Sequence, residues 1–177
     1  MVSAPSGAGK TSLLKALLEE DDQLHVSTSF TTRPQRPGEV EGKDYHFVGQ
    51  DSFLKMVDQG EFLEHACVFD NYYGTSRKDV FSQLGQGYDV VLEIDWQGAQ
   101  QIRSNMDGTI SIFILPPSEE VLLQRLTSRG QDDAAVIERR MRDAKSEISH
   151  YQEFDYLVVN DALNQGLVGL RGLIPSS

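Results

Sequence analysis

Apolar positions along this chain follow two patterns that take turns. Unbroken apolar runs occur at residues 1–4, 25–28, 90–94, 110–115 and 156–160, the second of them weak. The last three are rich in Val, Ile and Leu without polar alternation, as expected of strands in a parallel sheet covered on both faces. Between the runs, apolar residues recur at helical spacing. Leu13, Leu14, Leu17 and Leu18 predict a helix after the first run. Residues 97–105 predict a short helix with a polar face. Ser118 suits the cap of a helix that opens with Glu119 and Glu120, carries Leu122, Leu123 and Leu126 as its apolar stripe, and stops at Gly130. A longer helix is expected over 134–150, and a last one over 162–173 that packs Leu163, Leu167, Leu170 and Ile174. Alternating strands and helices predict an α/β fold with a five-stranded parallel sheet flanked by helices.

The span 29–84 breaks this rhythm. It is rich in Thr, Arg, Pro, Tyr and Phe, with strand-like runs at 45–48 and 62–69. A helix over 51–59 ends at Gly60, and another starts at Ser76 with Asp79 in capping-box position. This span is expected to be a small mixed α/β lobe inserted into the core. A second, charged insertion covers 118–150 and carries Arg125, Arg129, Arg139, Arg140 and Arg142. Residues 1–28, 85–117 and 151–177 are left as the core.

Charge and cysteine usage narrow the partners. A net charge of −11 argues against bulk attraction to nucleic acid or anionic lipid, so neither nucleic acid nor membrane is an expected partner. A polyphosphate ligand would require some of the 16 Lys and Arg to be gathered locally. The single cysteine, Cys67, excludes an internal disulfide and fits a reducing cytoplasm. Its apolar surroundings make it a packing residue rather than a nucleophile. No apolar run is long enough to span a membrane, and no signal peptide is read ahead of the glycine-rich stretch that follows Ser3. With three residues before that stretch, the first strand is expected to be short. His25, His46, His65 and His150 form no metal-ligand spacing.

The glycine-rich stretch is Ala4, Pro5, Ser6, Gly7, Ala8, Gly9, Lys10 and Thr11, a P-loop lacking only its usual first glycine. Such a turn between strand and helix aims backbone N–H groups at one spot, where the helix N-terminus adds partial positive charge. Lys10 then reaches the outer phosphates of a nucleotide, and the Thr11 hydroxyl is suited to Mg²⁺. A flexible turn before a helix would need the same glycines; the strand before and the helix after favour nucleotide binding.

Inserted lobes holding arginines suggest a second phosphorylated substrate that is gripped and closed upon, as phosphoryl transfer requires. Arg33 and Arg36, stiffened by Pro34 and Pro37, suit a phosphate monoester, with Ser29 and Tyr45 as hydroxyl donors. Two solvated arginines in a surface loop would look the same. Glu64 is an acid in an apolar run, which strand alternation alone would also explain. Beside a hydroxyl such as Thr75, it acquires a chemical meaning. A carboxylate accepts from N1–H and the 2-amino group of guanine while the hydroxyl donates to O6; adenine would leave the carboxylate unpaired. Glu93 and Asp95 close a buried strand where a P-loop enzyme keeps its Mg²⁺-associated acid. Asp95 is the candidate for orienting Mg²⁺-bound water, and Glu93, on the same strand face, for touching the acceptor. Simple pairing of both acids with nearby arginines is the alternative.

Taken together these residues resemble the guanylate kinase family over essentially the whole chain. The resemblance rests on residues 4–11, Thr31-Thr32-Arg33 with Arg36, Gly38 and Glu39, Gly42 with Asp44, Tyr45 and Phe47, Phe62-Leu63-Glu64, Asn71-Tyr72-Tyr73-Gly74-Thr75, Ile94-Asp95-Trp96-Gln97-Gly98, Pro116-Pro117-Ser118, Arg129-Gly130 and Val159-Asn160-Asp161. It implies phosphoryl transfer from ATP to GMP with Mg²⁺, direct and in line, with no covalent intermediate. It implies that Ser29, Arg33, Arg36, Tyr45 and Tyr73 hold the GMP phosphate, that Glu64 and Thr75 read guanine, and that Glu93 lies near the same nucleotide. Lys10 and Thr11 would hold ATP phosphates and Mg²⁺. Arg125, Arg129 and Arg140 would close from a helical lid, and Asn160 would lie near adenine. Arg139 and Arg142 keep a solvated-helix role. Two departures stand out: Ala4 replaces a glycine, and Glu93 is one methylene longer than the Asp of some relatives. Two other functions stay open at this stage. One is a kinase for a different small phosphorylated acceptor, against which Glu64 with Thr75 argues. The other is a silent guanylate-kinase-like module that binds phosphopeptides, which has no use for Lys10, Thr11, Asp95 and the arginines of the second insertion.

Overall fold

A computed structural model describes residues 1–68, 70–128 and 134–174. Its contacts divide the chain into two compact units, one of Met1–Asp22 with Ile110–Ser177 and one of Gln23–Thr109.

In the first unit the opening apolar run forms β1 (Val2–Ser3) and leads through the glycine-rich turn into α1 (Lys10–Glu20). After the second unit come β8 (Ile112–Leu115), α5 (Glu119–Ser128), α6 (Ala134–Ile148), a 3₁₀ turn (Tyr151–Glu153), β9 (Tyr156–Val159) and α7 (Leu163–Arg171). The strands form a parallel sheet in the order β1-β8-β9, with Val2 opposite Ile112 and Leu115 opposite Val159. Leu13, Leu14 and Leu17 bury the inner face of α1, and Phe113 and Ile114 fill the sheet side. Leu122 and Leu126 of α5 pack on Ala144, Met141 and Ile148 of α6. Ser118 caps α5 as expected, its hydroxyl accepting from Val121 N–H at 3.2 Å.

The second unit holds β2 (Leu24–Val26), β3 (Phe30–Thr31), β4 (His46–Phe47), α2 (Gln50–Asp58), β5 (Phe62–Val68), β6 (Asn71–Ser76), α3 (Arg77–Gly85), β7 (Asp89–Val91) and α4 (Trp96–Asn105). Strands β2 and β7 pair in parallel. A separate mixed sheet runs β4-β3-β6-β5, in which β5 and β6 form an antiparallel hairpin. Ser76 caps α3 by accepting from Asp79 N–H at 3.2 Å, as the capping-box spacing predicts.

Several expectations need correction. The five core strands all form, but hydrogen bonds join them as three and two, not as one five-stranded sheet. Strands as short as β1 and β7 carry few ladder groups. β9 is not covered on both faces: Tyr156, Leu157 and Val159 are exposed, and among the described residues it is an edge strand that pairs only with β8. Leu123 and Leu163 point to solvent, leaving Leu122 with Leu126 and Gly166 with Leu170 as the buried stripes. Cys67 is exposed on β5, opposite in the pleat to buried Ala66. Gly130, the predicted helix stop, lies outside the described residues.

Candidate functional site

The P-loop lies wholly in the first unit. Gly7 and Gly9 both have φ of 90°, a left-handed backbone that L side chains rarely adopt. Gly9 is therefore the N-cap of α1 by conformation, with no side-chain cap. Ala8 N–H closes the turn on the Pro5 carbonyl at 3.1 Å. Ala4, where a glycine is usual, has no positive φ, so the methyl group is accommodated. Lys10 opens α1 half-buried, and the next residue, Thr11, is exposed. Ser6 is exposed at the turn and accepts from Arg140 Nη2 of α6 at 3.2 Å.

Arg125 and Asn160 reach the same loop from behind. Arg125 Nη2 donates to the carbonyls of Asn160 at 3.0 Å and Asp161 at 3.1 Å, and Nη1 lies 3.5 Å from the Ala8 carbonyl. The Asn160 amide donates to that Ala8 carbonyl at 2.7 Å. The loop, Arg125, Arg140 and Asn160 are thus brought together as the spacing alone could not require. Arg129 lies outside the described residues. Arg139 and Arg142 are exposed and pair along α6 with Asp143 at 4.0 Å and Glu138 at 3.2 Å, in keeping with a solvated helix face.

The second unit gathers the remaining candidates into two groups. In the first, Arg33 forms a two-pronged pair with Glu39, at 3.0 Å and 2.8 Å, and donates to the Pro34 carbonyl at 2.8 Å. Glu39 also accepts from Arg36 N–H at 2.7 Å, which fixes the Pro-rich loop around the arginine. The Arg33 guanidinium lies over the rings of Tyr45, 5.2 Å from its centroid, and Phe47. The hydrogen bond from Arg33 holds the Glu39 carboxyl below its ordinary range, and Glu39 in turn raises Arg33. Tyr73 sits 6.0 Å from Tyr45, edge to face. Burial first, then Tyr73 and Glu93, hold the Tyr45 phenol above its usual range, so Glu93 belongs electrostatically to this group. Arg36 is exposed on the loop, and Ser29 is half-buried at the start of β3.

The second group is centred on Glu64, which is 5% exposed. A register shift in β5 between Phe62 and Glu64 breaks the strand alternation, so Phe62, Leu63 and Glu64 are all buried. Glu64 stands opposite Thr75 of β6, whose hydroxyl donates to Oε1 at 2.5 Å. Its Oε2 faces α4, where a Cβ added to Gly98 would come within 2.6 Å. Burial, helped by nearby Asp95, raises the Glu64 carboxyl to about 7 against the pull of Thr75. The hydroxyl that the sequence assigns to guanine O6 is donated to the carboxylate here.

Asp95 is the N-cap of α4, accepting from Gly98 N–H at 2.8 Å and from Gln97 Nε2 at 3.2 Å. Among the described residues no group of three or more His, Cys, Asp and Glu could hold a metal ion. Mg²⁺ does not demand one, since it keeps several waters and takes its remaining ligands from phosphates and one or two protein oxygens. The exposed Thr11 hydroxyl fits that demand.

Two residues are not singled out by the sequence. Gln101 of α4 pairs with both backbone groups of His65, accepting at 3.0 Å and donating at 2.7 Å. Asn105 donates to the Leu63 carbonyl at 3.1 Å. Together they fasten α4 along the edge of β5 and hold Gly98 against Glu64. The polar face of the helix, with Gly98, Gln101 and Asn105 three and four apart, is the only signal of this in the chain.

The family model described as guanylate kinase matches residues 1–177. The guanylate kinase of Alkalilimnicola ehrlichii is 58% identical over 177 residues, covering 100% of this chain and 87% of that protein. The guanylate kinase of Methylococcus capsulatus is 58% identical over 174 residues, covering 98% and 85%. The crystal structure of guanylate kinase from Anaplasma phagocytophilum, 37% identical, superposes with a TM-score of 0.80 over 97% of this chain and 80% of that one. Matched from end to end by the family model and by close relatives, the chain belongs to the guanylate kinase family.

Proposed function

We infer that this protein transfers the γ-phosphoryl group of ATP to GMP, giving ADP and GDP, by direct in-line displacement that depends on Mg²⁺. Family membership supports the reaction, and the buried Glu64 with Thr75 beside it supports the acceptor. Three parts of the chain take separate roles in this reaction. Residues 29–84 hold GMP, 118–150 act as a lid, and the rest form the P-loop core. An exposed cysteine without a disulfide suits a cytoplasmic enzyme.

Residues 4–11 bind the ATP phosphates through backbone N–H groups, and Lys10 neutralises charge on the transferred group. Thr11 and, through water, Asp95 would hold Mg²⁺, which when bound neutralises phosphate charge during transfer. Arg33, Arg36, Ser29, Tyr45 and Tyr73 hold the GMP phosphate, with Glu93 close by. Arg33 meets the phosphate already oriented by Glu39, so less side-chain entropy is lost on binding. Glu64 accepts from N1–H and the 2-amino group of guanine, and Thr75 serves O6 once its proton is released from Glu64. Arg125, Arg129 and Arg140 belong to the lid side, and Asn160 to the ATP side. No residue need act as a general base, because the attacking phosphate is already ionised.

The observation that carries the acceptor assignment is the acid buried beside a hydroxyl. Without a ligand, that carboxyl is costly to ionise; the N1–H and 2-amino donors of guanine offset the cost, and adenine has a donor at neither position. ADP release measured with ATP and Mg²⁺, offering GMP, AMP, CMP and UMP in turn, tests it. Turnover with GMP alone is expected. Turnover with another nucleotide, or none from folded protein, would refute the assignment.

A further inference from the structure

We propose that the Asn160 side chain is a positioning residue for the P-loop: its amide holds the Ala8 carbonyl outward and so aims the Gly9 N–H into the phosphate cradle. The proposal rests on residues 4–11 being the ATP phosphate site. In a planar trans peptide the C=O and the following N–H point in opposite directions. Whatever anchors the Ala8 carbonyl therefore sets the direction of Gly9 N–H. The closer anchor is Asn160 Nδ2, at 2.7 Å, with Arg125 Nη1 at 3.5 Å.

The placement of Asn160 is itself determined. Its own N–H donates to the Leu115 carbonyl at 2.8 Å, carrying the β8–β9 ladder one residue further. Its carbonyl is held by Arg125 at 3.0 Å. The side chain is packed between two glycines. A Cβ on Gly9 would lie 2.3 Å from Nδ2, and one on Gly166 of α7 would lie 2.8 Å from Oδ1. Asn160 is 5% exposed, and its buried Oδ1 has no hydrogen-bond partner among the described residues. One amide N–H is committed to Ala8, the acceptor is sealed against a helix, and the residue is 5% exposed, which leaves little of it within reach of a base. Its effect should fall on the phosphates that every nucleoside triphosphate shares.

The test separates phosphate from base. Dissociation constants for inorganic tripolyphosphate, ATP, adenosine and GMP are measured on the full chain, unaltered and as Asn160→Ala. Loss of one neutral hydrogen bond predicts that tripolyphosphate and ATP weaken together by about ten-fold, with GMP unchanged. Gly166→Ala, which crowds Oδ1 but leaves the amide present, should reproduce this pattern in weaker form. Unchanged tripolyphosphate with weakened ATP and adenosine would make Asn160 a base contact and overturn the proposal. So would no change in any ligand, or a parallel loss of GMP binding that marks general damage. Should neither variant fold, the side-chain amide resonance of Asn160 in the unaltered protein decides. It should shift with tripolyphosphate and not with adenosine; the reverse overturns the proposal. Failure of the unaltered protein to bind tripolyphosphate and ATP would instead overturn the functional assignment beneath it.

Discussion

The P-loop of the first unit and the Glu64 pocket of the second solve recognition by opposite means. The loop presents backbone groups, and its conformation demands glycine where φ is 90°. It has no buried charge to stabilise, and its turn follows from local sequence, with the Ala8 carbonyl held from a distance by Asn160 and Arg125. The pocket presents a carboxylate 5% exposed, built from three elements. Strand β5 supplies the acid through a bulge, β6 the hydroxyl, and α4 a glycine that leaves room for it. A phosphate cradle need only be positive and concave, whereas a base reader needs donors and acceptors in a fixed pattern. The second requirement draws on more of the fold and carries a cost when the ligand is absent.

The sharpest break between the two regions is Lys10→Met. Removing the charge that meets the transferred phosphate should lower kcat by about a thousand-fold or more, with GMP affinity retained. Steady-state turnover and calorimetric GMP binding check this together; normal turnover would remove Lys10 from the chemistry.

Next comes the cost of the buried acid, which the loop does not share. With its folded value raised from 4.5 to about 7, Glu64 leaves the protein most stable below the unfolded value. Between those limits the unfolded chain releases its proton first, so stability falls as pH rises, by about 3 kcal/mol in all, and levels off above pH about 7. Denaturant unfolding of the unaltered protein and Glu64→Gln from pH 4 to 8 should show the variant gaining relative stability over that window. A pH-independent difference would contradict the burial argument. Since guanine needs the ionised acid, GMP binding should also weaken as pH falls below about 7.

Glu64→Gln places a donor against a guanine donor, and should raise the KM for GMP by about a hundred-fold while leaving the KM for ATP alone. An unchanged GMP value would take Glu64 out of the site. The smallest expected effect is that of Gly98→Ala. The new methyl would meet Oε2 within 2.6 Å, so the carboxylate or α4 must shift. An increase of about ten-fold in the KM for GMP is expected from one weakened interaction. If Gly98→Ala alters ATP and GMP equally, α4 supports the enzyme as a whole instead of the base reader.

The helices are the most legible part of the fold. Each predicted helix forms within a few residues of its expected bounds, because 3.6-residue spacing and capping residues such as Ser76 and Ser118 are local signals. Strand positions are also legible, but their partnership is not. An apolar run says that a strand is buried, not which ladder it joins, and so the expected five-stranded sheet is three and two, and β9 keeps one open side. Cys67 and Leu123 depart from expectation for a related reason. Which face of an element meets the core is settled by its neighbours, and a bulge in β5 resets the alternation.

By itself the sequence determined the P-loop, its flanking strand and helix, the arginine-bearing loop, and the class of chemistry, because each depends on residue types at short, fixed separations. Only tertiary structure decided that Glu64 is buried, that Thr75 and Gly98 meet it, that Glu39 orients Arg33, and that Asn160 holds Ala8 from 152 residues away. Those contacts join distant positions through hydrogen bonds and excluded volume, and neither leaves a periodic mark in the chain.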